Sequence, residues 1–267
     1  MNPAAITALC KANVDIDVEV DVEVVRETGS TNADLMARAA QLMRPTLLIA
    51  EHQSAGRGRA GRSWLSNAGD SLTFSLAWKF AGPPQQLLGL PLAVGVALAE
   101  ALVALGVPVR LKWPNDLLKD GSKLGGILIE TVRAEDNGTW AVIGVGLNLL
   151  MPDRLEKRIG ARAASAPWLA QMERNALMTA LLAALAAAMA QFSASGFKAF
   201  RARWDALHAW RGQPVVVIDS GAVAQRGVAL GVDDIGRLLL DGDGDGDGDP
   251  GRIAVLAGDV SLRLAGA

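Results

Sequence analysis

The run Gly56-Arg57-Gly58-Arg59-Ala60-Gly61-Arg62 sets three guanidinium groups among three glycines. Glycine lets backbone approach a ligand closely, and a guanidinium forks onto the paired oxygens of a phosphate or carboxylate. The run therefore reads as an anion site, with an exposed basic turn or an arginine-glycine RNA-binding segment as alternatives. Its spacing also satisfies G-x-G-x-x-G. The context argues against a dinucleotide loop: Ser63-Trp64 follows where a helix is required, and no ribose-binding acid lies about twenty residues on.

Four further clusters carry chemistry only in combination. In Lys112-Trp113-Pro114-Asn115-Asp116 the proline stops a strand and leaves polar groups at a sheet edge. There Trp113 can stack on a base and Asn115 and Asp116 can hold a cation or donor; a charged strand-to-turn junction is the plain alternative. Lys123 precedes a strand bared by Gly125 and Gly126, where an ammonium can neutralise a carboxylate and a phosphate brought together, unless it is one more surface lysine. Gly144 and Gly146 strip one face of another strand ahead of Asn148, for a ligand or for packing. Ser30, Thr31 and Asn32 can cap a helix or bind a small polar head group.

Two features are set aside. His52 and His208 lack partners at ligand spacing, so no structural metal site is expected. The tract from Asp241 to Asp249 matches the first half of a calcium loop, but the twelfth position is Arg252, so it reads as an acidic hairpin loop.

The elements that must position these groups alternate strand and helix. Val14 to Val24 has the period-two pattern of a half-wet strand. Ser30 or Thr31 caps a helix to about Met43, with Leu35, Met36, Ala39, Leu42 and Met43 on one face. Strands follow at Thr46 to Glu51, around Leu72, Phe74 and Leu76, and at Val109 to Trp113, Leu124 to Val132 and Trp140 to Leu149. Helices are expected over Gln85 to Leu105, Arg174 to Ser195 and Phe197 to Trp210. After Gly212-Gln213-Pro214 come five short strands, Val215 to Asp219, Val223 to Leu230, Leu238 to Leu240, Ile253 to Leu256 and Val260 to Leu264, suggesting a small barrel.

With 267 residues, 51% hydrophobic and 20% charged, the chain can hold one large and one small domain. A formal net charge of -2 provides no global positive field for nucleic acid or anionic lipid, so phosphate binding must come from local cations. The single thiol, Cys10, fits a reducing compartment, and Met1 to Ala12 lacks the charged and apolar regions of a signal peptide. The alanine-rich run Ala176 to Ala190 is shorter than the ~18 residues of a membrane span and reads as a buried helix. Only 27 residues precede Thr28, too few for a winged-helix domain.

Taken in order, Glu27 to Asn32, Gln53 with the Gly-Arg loop to Trp64, Lys112 to Asp116, Lys123 to Leu128 and Gly144 to Asn148 resemble biotin protein ligase, densely from Thr28 to Asn148 and more loosely to the end. The resemblance implies an α+β fold, a mixed sheet flanked by helices of the class II synthetase-like kind, with a small C-terminal SH3-like β-barrel. It divides the chain into an N-terminal extension (1–27), a catalytic domain (28–211) and the barrel (212–267). Ser30, Thr31, Asn32 and Gln53 match residues that bind the ureido end of biotin. Arg57, Gly58 and Arg59 match a mobile loop that closes over biotin and the adenylate phosphate, and Lys123 matches a contact to the biotin carboxylate and phosphate. Trp64 matches an aromatic near adenine, while Arg62, Lys112, Asn115 and Asn148 fall in the ATP region.

The reaction so implied activates biotin with ATP and magnesium to biotinyl-adenylate and passes it to a lysine of a biotin carboxyl carrier protein domain, of acetyl-CoA carboxylase or a related carboxylase. Lys123, Arg59 and Asp116 are the catalytic candidates, Asp116 for receiving or orienting the acceptor ammonium, and Leu150 to Trp168 is a second covering loop. A cytoplasmic monomer or homodimer without nucleic-acid or membrane partners, and without a repressor role, is expected. The rivals are a lipoate or octanoate ligase, a catalytically inert biotin binder, and an RNA-binding module using the Arg-Gly loop.

Overall fold

Alternation along three long strands separates two faces of one sheet, and that separation builds the site. The computed structural model describes residues 1–13, 19–159, 163–242 and 251–266. In chain order the elements are α1 (Pro3–Asn13), β1 (Asp21–Thr28), α2 (Thr31–Arg38), β2 (Thr46–Gln53), β3 (Ser71–Phe80), α3 (Leu90–Ala104), β4 (Arg110–Lys112), β5 (Asp116–Lys119), β6 (Ser122–Arg133) and β7 (Thr139–Asn148). They continue with α4 (Asp153–Ile159), α5 (Pro167–Gln171), α6 (Arg174–Ser195), α7 (Arg201–Leu207), β8 (Pro214–Asp219), β9 (Ala222–Val232), β10 (Leu238–Asp241), β11 (Arg252–Val255) and β12 (Val260–Leu264).

Strands β1 to β7 form a seven-stranded mixed sheet in the order β1-β2-β3-β7-β6-β5-β4, with β1 and β2 parallel and the other pairs antiparallel. On one face Leu72, Phe74, Leu76, Trp78 and Phe80 of β3, with Ala141, Ile143, Val145 and Leu147 of β7, join the buried leucines of α3 and α6. Fully burying a leucine-sized side chain contributes about 1.5–3 kcal/mol, so Leu177, Leu181 and Leu185 fix α6 firmly against this face. On the other face Ala77, Trp140 and Val142 cover only part of the sheet under Leu35 of α2. The register runs Ser75↔Gly144↔Leu128 and Thr73↔Gly146↔Gly126 across β3, β7 and β6. Paired residues share a face, so beside α2 lie two rows in which every side chain but Leu128 is small.

Several boundaries differ from the sequence reading. The stretch Pro3–Asn13, given no element there, is a helix whose Ile6 is fully buried against the α6 side of the core. The half-wet strand runs Asp21–Thr28 and is the sheet edge paired to β2, so these residues belong to the main sheet; Val14 to Val18 of the expected strand lie outside the described residues. α2 stops at Arg38 and passes into a single tight turn at Ala39–Gln41, leaving Met43 92% exposed where a buried position was expected. Strand Val109 to Trp113 is shorter, and a separate hairpin strand, β5, follows Pro114. Leu150 to Trp168 is not all loop, since it holds α4 and the start of α5. The segment Pro84–Ala104 and α6 are both long and apolar enough to span a membrane by length and composition, but 61% and 56% of their apolar windows are buried in the fold.

The C-terminal strands form a five-stranded antiparallel sheet, β11-β10-β9-β8-β12. β11 and β12 are its two edges and do not pair, so the sheet stays open instead of closing into the expected barrel. Residues 243–249 of the acidic tract lie outside the described residues. Val215, Val217, Leu238 and Leu262 join the same apolar cluster as α3 and α6. The Trp113 Nε1–H donates to the Gly236 carbonyl at 3.1 Å, and the Val232 N–H donates to Asp205 Oδ1 at 3.0 Å.

At this junction His208 is buried, its ring 4.6 Å from that of Trp204, and neither ring nitrogen has a protein partner among the described residues. Burial first, and the Arg211 charge second, lower its pKa from 6.5 to about 4. The unfolded chain therefore binds this proton at a higher pH than the native one, and stability falls as pH drops through 6.5 toward 4. Denaturant unfolding of His208→Phe at pH 7 and pH 5 should show this step, about 2 kcal/mol in the parent, removed or much reduced.

Candidate active site

Ser30 opens the site because it caps α2: its Oγ accepts from the Ala33 N–H at 3.4 Å while its backbone is extended. The cap turns Thr31 and Asn32, both nearly fully buried, onto the bare rows of the sheet. Gln53, at the end of β2, fixes Thr31 by accepting from its N–H at 2.8 Å, with the Thr31 hydroxyl 3.1 Å from the same oxygen. Thr31 Oγ1 lies 2.7 Å from Ser75 Oγ, and the Ser75 hydroxyl donates to Asn32 Oδ1 at 2.6 Å. The Asn32 amide in turn donates to Glu130 Oε2 at 2.9 Å and the Leu128 carbonyl at 3.4 Å. This end of the cleft is uncharged at its surface and rich in hydrogen-bonding groups, as a small polar head requires.

Cations gather at the other end. The loop folds as a tight hairpin in which the Gly58 N–H meets the Arg62 carbonyl at 2.6 Å and the Trp64 N–H meets the Gly56 carbonyl at 2.9 Å. Arg57 Nη2 rests on Glu130 at 3.2 Å. Arg59 donates to Asn115 Oδ1 at 2.9 Å, to the Val260 carbonyl at 3.3 Å, and to the Gly258 carbonyl, so the loop is tied to the C-terminal domain. Burial, with the neighbouring Arg62 adding to it, pushes the Arg59 guanidinium down from its usual pKa. Asn115 is itself held by donation to the Ile127 carbonyl at 2.7 Å. Asp116 lies between two ammonium groups, Lys123 at 2.6 Å and Lys112 at 3.5 Å. Lys112 stands 5.0 Å from the Trp210 ring centroid, and burial pushes its pKa down against the pull of Asp116.

Ser30, Thr31, Asn32, Gln53, Arg57, Gly58, Arg59, Arg62, Trp64, Asn115 and Lys123 all line one cleft, with an empty volume of about 700 Å3 counting its open mouth. Lys112 and Asp116 stand behind Lys123 and act on the cleft through it. Asn148 lines the adjoining recess, which shares Trp64 and Lys123 with this cleft. Its amide donates to the Ala164 and Lys123 carbonyls at 3.1 and 3.4 Å, strapping the segment after α4 across the end of β6. The two strand glycines leave space that protein occupies: a Cβ on Gly144 would collide with Asn32 Oδ1, and one on Gly146 with the Trp64 indole. The indole thus lies on the bared strand, with the Lys123 ammonium 5.9 Å from its ring centroid. The sequence reading gave no role to Ser75 or Glu130; their part follows from the cross-strand register, which no local motif reveals.

A mixed sheet carrying an uncharged polar recess beside a cluster of cations defines an enzyme that brings a polar-headed carboxylic acid to a phosphate. Comparison with known proteins agrees. Residues 22–148 match the Biotin/lipoate A/B protein ligase family and residues 212–263 the Biotin protein ligase C terminal domain. The chain is 36% identical over 251 residues to the Bifunctional ligase/repressor BirA of Escherichia coli, covering 91% of this chain and 74% of that protein. It is 38% identical over 248 residues to the Biotin--[acetyl-CoA-carboxylase] ligase of Mycobacterium tuberculosis, covering 90% and 88%. The structure of the Aquifex aeolicus biotin protein ligase in complex with biotin and ATP superposes with a TM-score of 0.73 at 26% identity, over 91% of this chain and 99% of that one. The chain belongs to the biotin protein ligase family.

Because Asn32 is held from two sides, it cannot retreat from an added methyl group at Gly144. Gly144→Ala should raise KM for biotin about tenfold or more, the scale of one disturbed buried hydrogen bond, with a much smaller change in KM for ATP. Steady-state kinetics with each substrate varied separately checks this.

Proposed function

We propose that the cleft holds biotin and ATP together, forms biotinyl-adenylate, and delivers the acyl group to a lysine of a biotin carboxyl carrier domain. The carrying observation is that Arg57, Arg59 and Lys123 line one recess with Ser30, Thr31, Asn32 and Gln53. On this reading the uncharged set takes the ureido ring and the cations take the carboxylate and α-phosphate. The biotin carboxylate is ionised near neutral pH and needs no base. Its oxygen bonds to the α-phosphorus as the bond to pyrophosphate breaks. Catalysis then rests on alignment and on cancelling charge between two anions.

Magnesium belongs here to the nucleotide. The ion keeps several waters and bridges phosphate oxygens, as magnesium does in nucleotide sites. The mixed anhydride must be kept from water, a task for the arginine hairpin and for the segment strapped by Asn148. In the second step the acceptor amine attacks the acyl carbon and AMP leaves. Asp116 already accommodates two ammonium groups. When Lys123 turns to the phosphate, Asp116 presents an oxygen to the incoming lysine ammonium. The cytoplasm is the proposed location, supported by the lone thiol Cys10 and by the use of ATP.

Incubating the protein with biotin, magnesium and ATP should release pyrophosphate and yield biotinyl-adenylate by mass, whereas lipoate should yield little. The reverse preference would overturn the biotin reading. Arg59→Gly should speed escape of the adenylate about tenfold or more, since it removes charge-assisted bonds to the phosphate; unchanged leakage would count against the clamp. Asp116→Asn should slow transfer from preformed biotinyl-adenylate to the carrier domain, and an unchanged rate would remove Asp116 from that step.

A further inference from the structure

We infer that Glu130 is a positioning residue that sets the donor and acceptor polarity of the wall facing the polar head of the substrate. It is 29% exposed at its side chain and stands at the rim of the cleft, where one oxygen, Oε2, takes both Asn32 Nδ2 at 2.9 Å and Arg57 Nη2 at 3.2 Å. An ionised carboxylate only accepts. Asn32 must therefore turn its amino group to Glu130 and its Oδ1 to Ser75, which donates to it at 2.6 Å. The single Ser75 proton is thereby committed, so at 2.7 Å Thr31 turns its one hydroxyl proton to Ser75 Oγ and holds Gln53 Oε1 through its backbone N–H. Gln53 presents Oε1 to Thr31 and keeps its amino group on the loop side, beside Gly56. A directional chain runs from Thr31 through Ser75 and Asn32 to the carboxylate, whose bond at 2.9 Å is the shorter of the two that hold the Asn32 amino group, the other going to the Leu128 carbonyl at 3.4 Å.

The consequence reaches the ligand. A ureido ring offers two N–H donors and one oxygen acceptor, so the wall must present a fixed pattern in return. With the chain in this direction Asn32 Oδ1 stays an acceptor over Gly144. Without a carboxylate at position 130, only the long bond to the Leu128 carbonyl opposes a half-turn of the Asn32 amide; as it turns, Ser75 reverses and the acceptor becomes a donor. Arg57 competes for the same oxygen, so the loop cation and the polar wall meet at one atom. The inference rests on the biotin reading of the cleft.

The test is a pair of double-mutant cycles on biotin affinity in the full-length chain, read by calorimetry, with folding checked by thermal unfolding. Glu130→Gln should weaken biotin binding about tenfold, the scale of one misdirected buried hydrogen bond. In an Asn32→Ala background the same change should cost less than about twofold, because the group it positions is gone, whereas in an Arg57→Ala background the tenfold loss should persist. Additivity with Asn32→Ala, or a loss that vanishes only with Arg57→Ala, would overturn the inference and assign Glu130 to general stability or to the loop. Should Glu130→Gln fail to fold, Ser75→Ala interrupts the same chain and should show the same coupling to Asn32→Ala; additivity there overturns the inference equally. A parent chain that does not bind biotin refutes the reading of the cleft itself, which is a different result.

Discussion

The site is organised by the repulsion between two anions that must touch. At about 4 Å, two like unit charges near a protein surface repel by about 4 kcal/mol, roughly a thousandfold in rate if left uncancelled. Cations cancel this, but a cluster of cations needs partners of its own while no substrate is present. Each one in the cleft has them: Arg57 on Glu130, Lys123 on Asp116 with Lys112 behind it, Arg59 on Asn115 and two backbone carbonyls, and Arg62 on the Arg59 carbonyl. Substrate oxygens then replace protein oxygens, so the charges need not be desolvated anew when the ligand arrives.

That exchange works only on a rigid floor, and the floor comes from strand alternation. The residues of β3 and β7 that face α3 and α6 are mostly large and buried, and between them, at the site end, Thr73, Ser75, Gly144 and Gly146 are small. The buried half makes the sheet stiff, and the small half leaves room for groups brought from elsewhere. Asn32 and Trp64 use that room over Gly144 and Gly146, so the two glycines serve the protein's own side chains. Asn148, beside Trp64 and Lys123 in the adjoining recess, also holds the covering segment in place.

The legible parts of this architecture were those encoded locally. Period-two runs gave the main strands, Glu173 marks the start of α6 by accepting from the Asn175 and Ala176 N–H groups, and the ordered motifs assembled the cleft residues. The illegible parts depend on what lies across the fold. α1 has one fully buried residue, Ile6, too weak a signal for a periodic pattern. β5 is four residues between Pro114 and the Asp120–Gly121 turn. Five short strands suggested closure, but closure needs β11 to meet β12, and nothing in a single strand announces its neighbour. Ser75 and Glu130 stood in strands that were read correctly, yet their meaning lies in which residue each faces on the next strand or in α2.

The resting partners also impose an order on the cations. Arg57 and Lys123 leave carboxylates, whereas Arg59 leaves an amide oxygen and two carbonyls. All of these bonds are charge-assisted on the cation's side, but only those to carboxylates carry full charge on both partners, so Arg59 gives up less per bond on leaving. Its guanidinium is also partly desolvated and pressed by Arg62, which lowers its pKa and favours an anionic partner over the neutral ones it holds. On the proposed reading of the cleft, Arg59 is therefore the cation most readily drawn onto an arriving phosphate. Its departure frees the carbonyls of Gly258 and Val260, so the grip of the arginine hairpin on the C-terminal domain loosens as its grip on the nucleotide forms. The C-terminal sheet takes part in the chemistry in this sense: it holds the hairpin in readiness with bonds weaker than those the substrate offers.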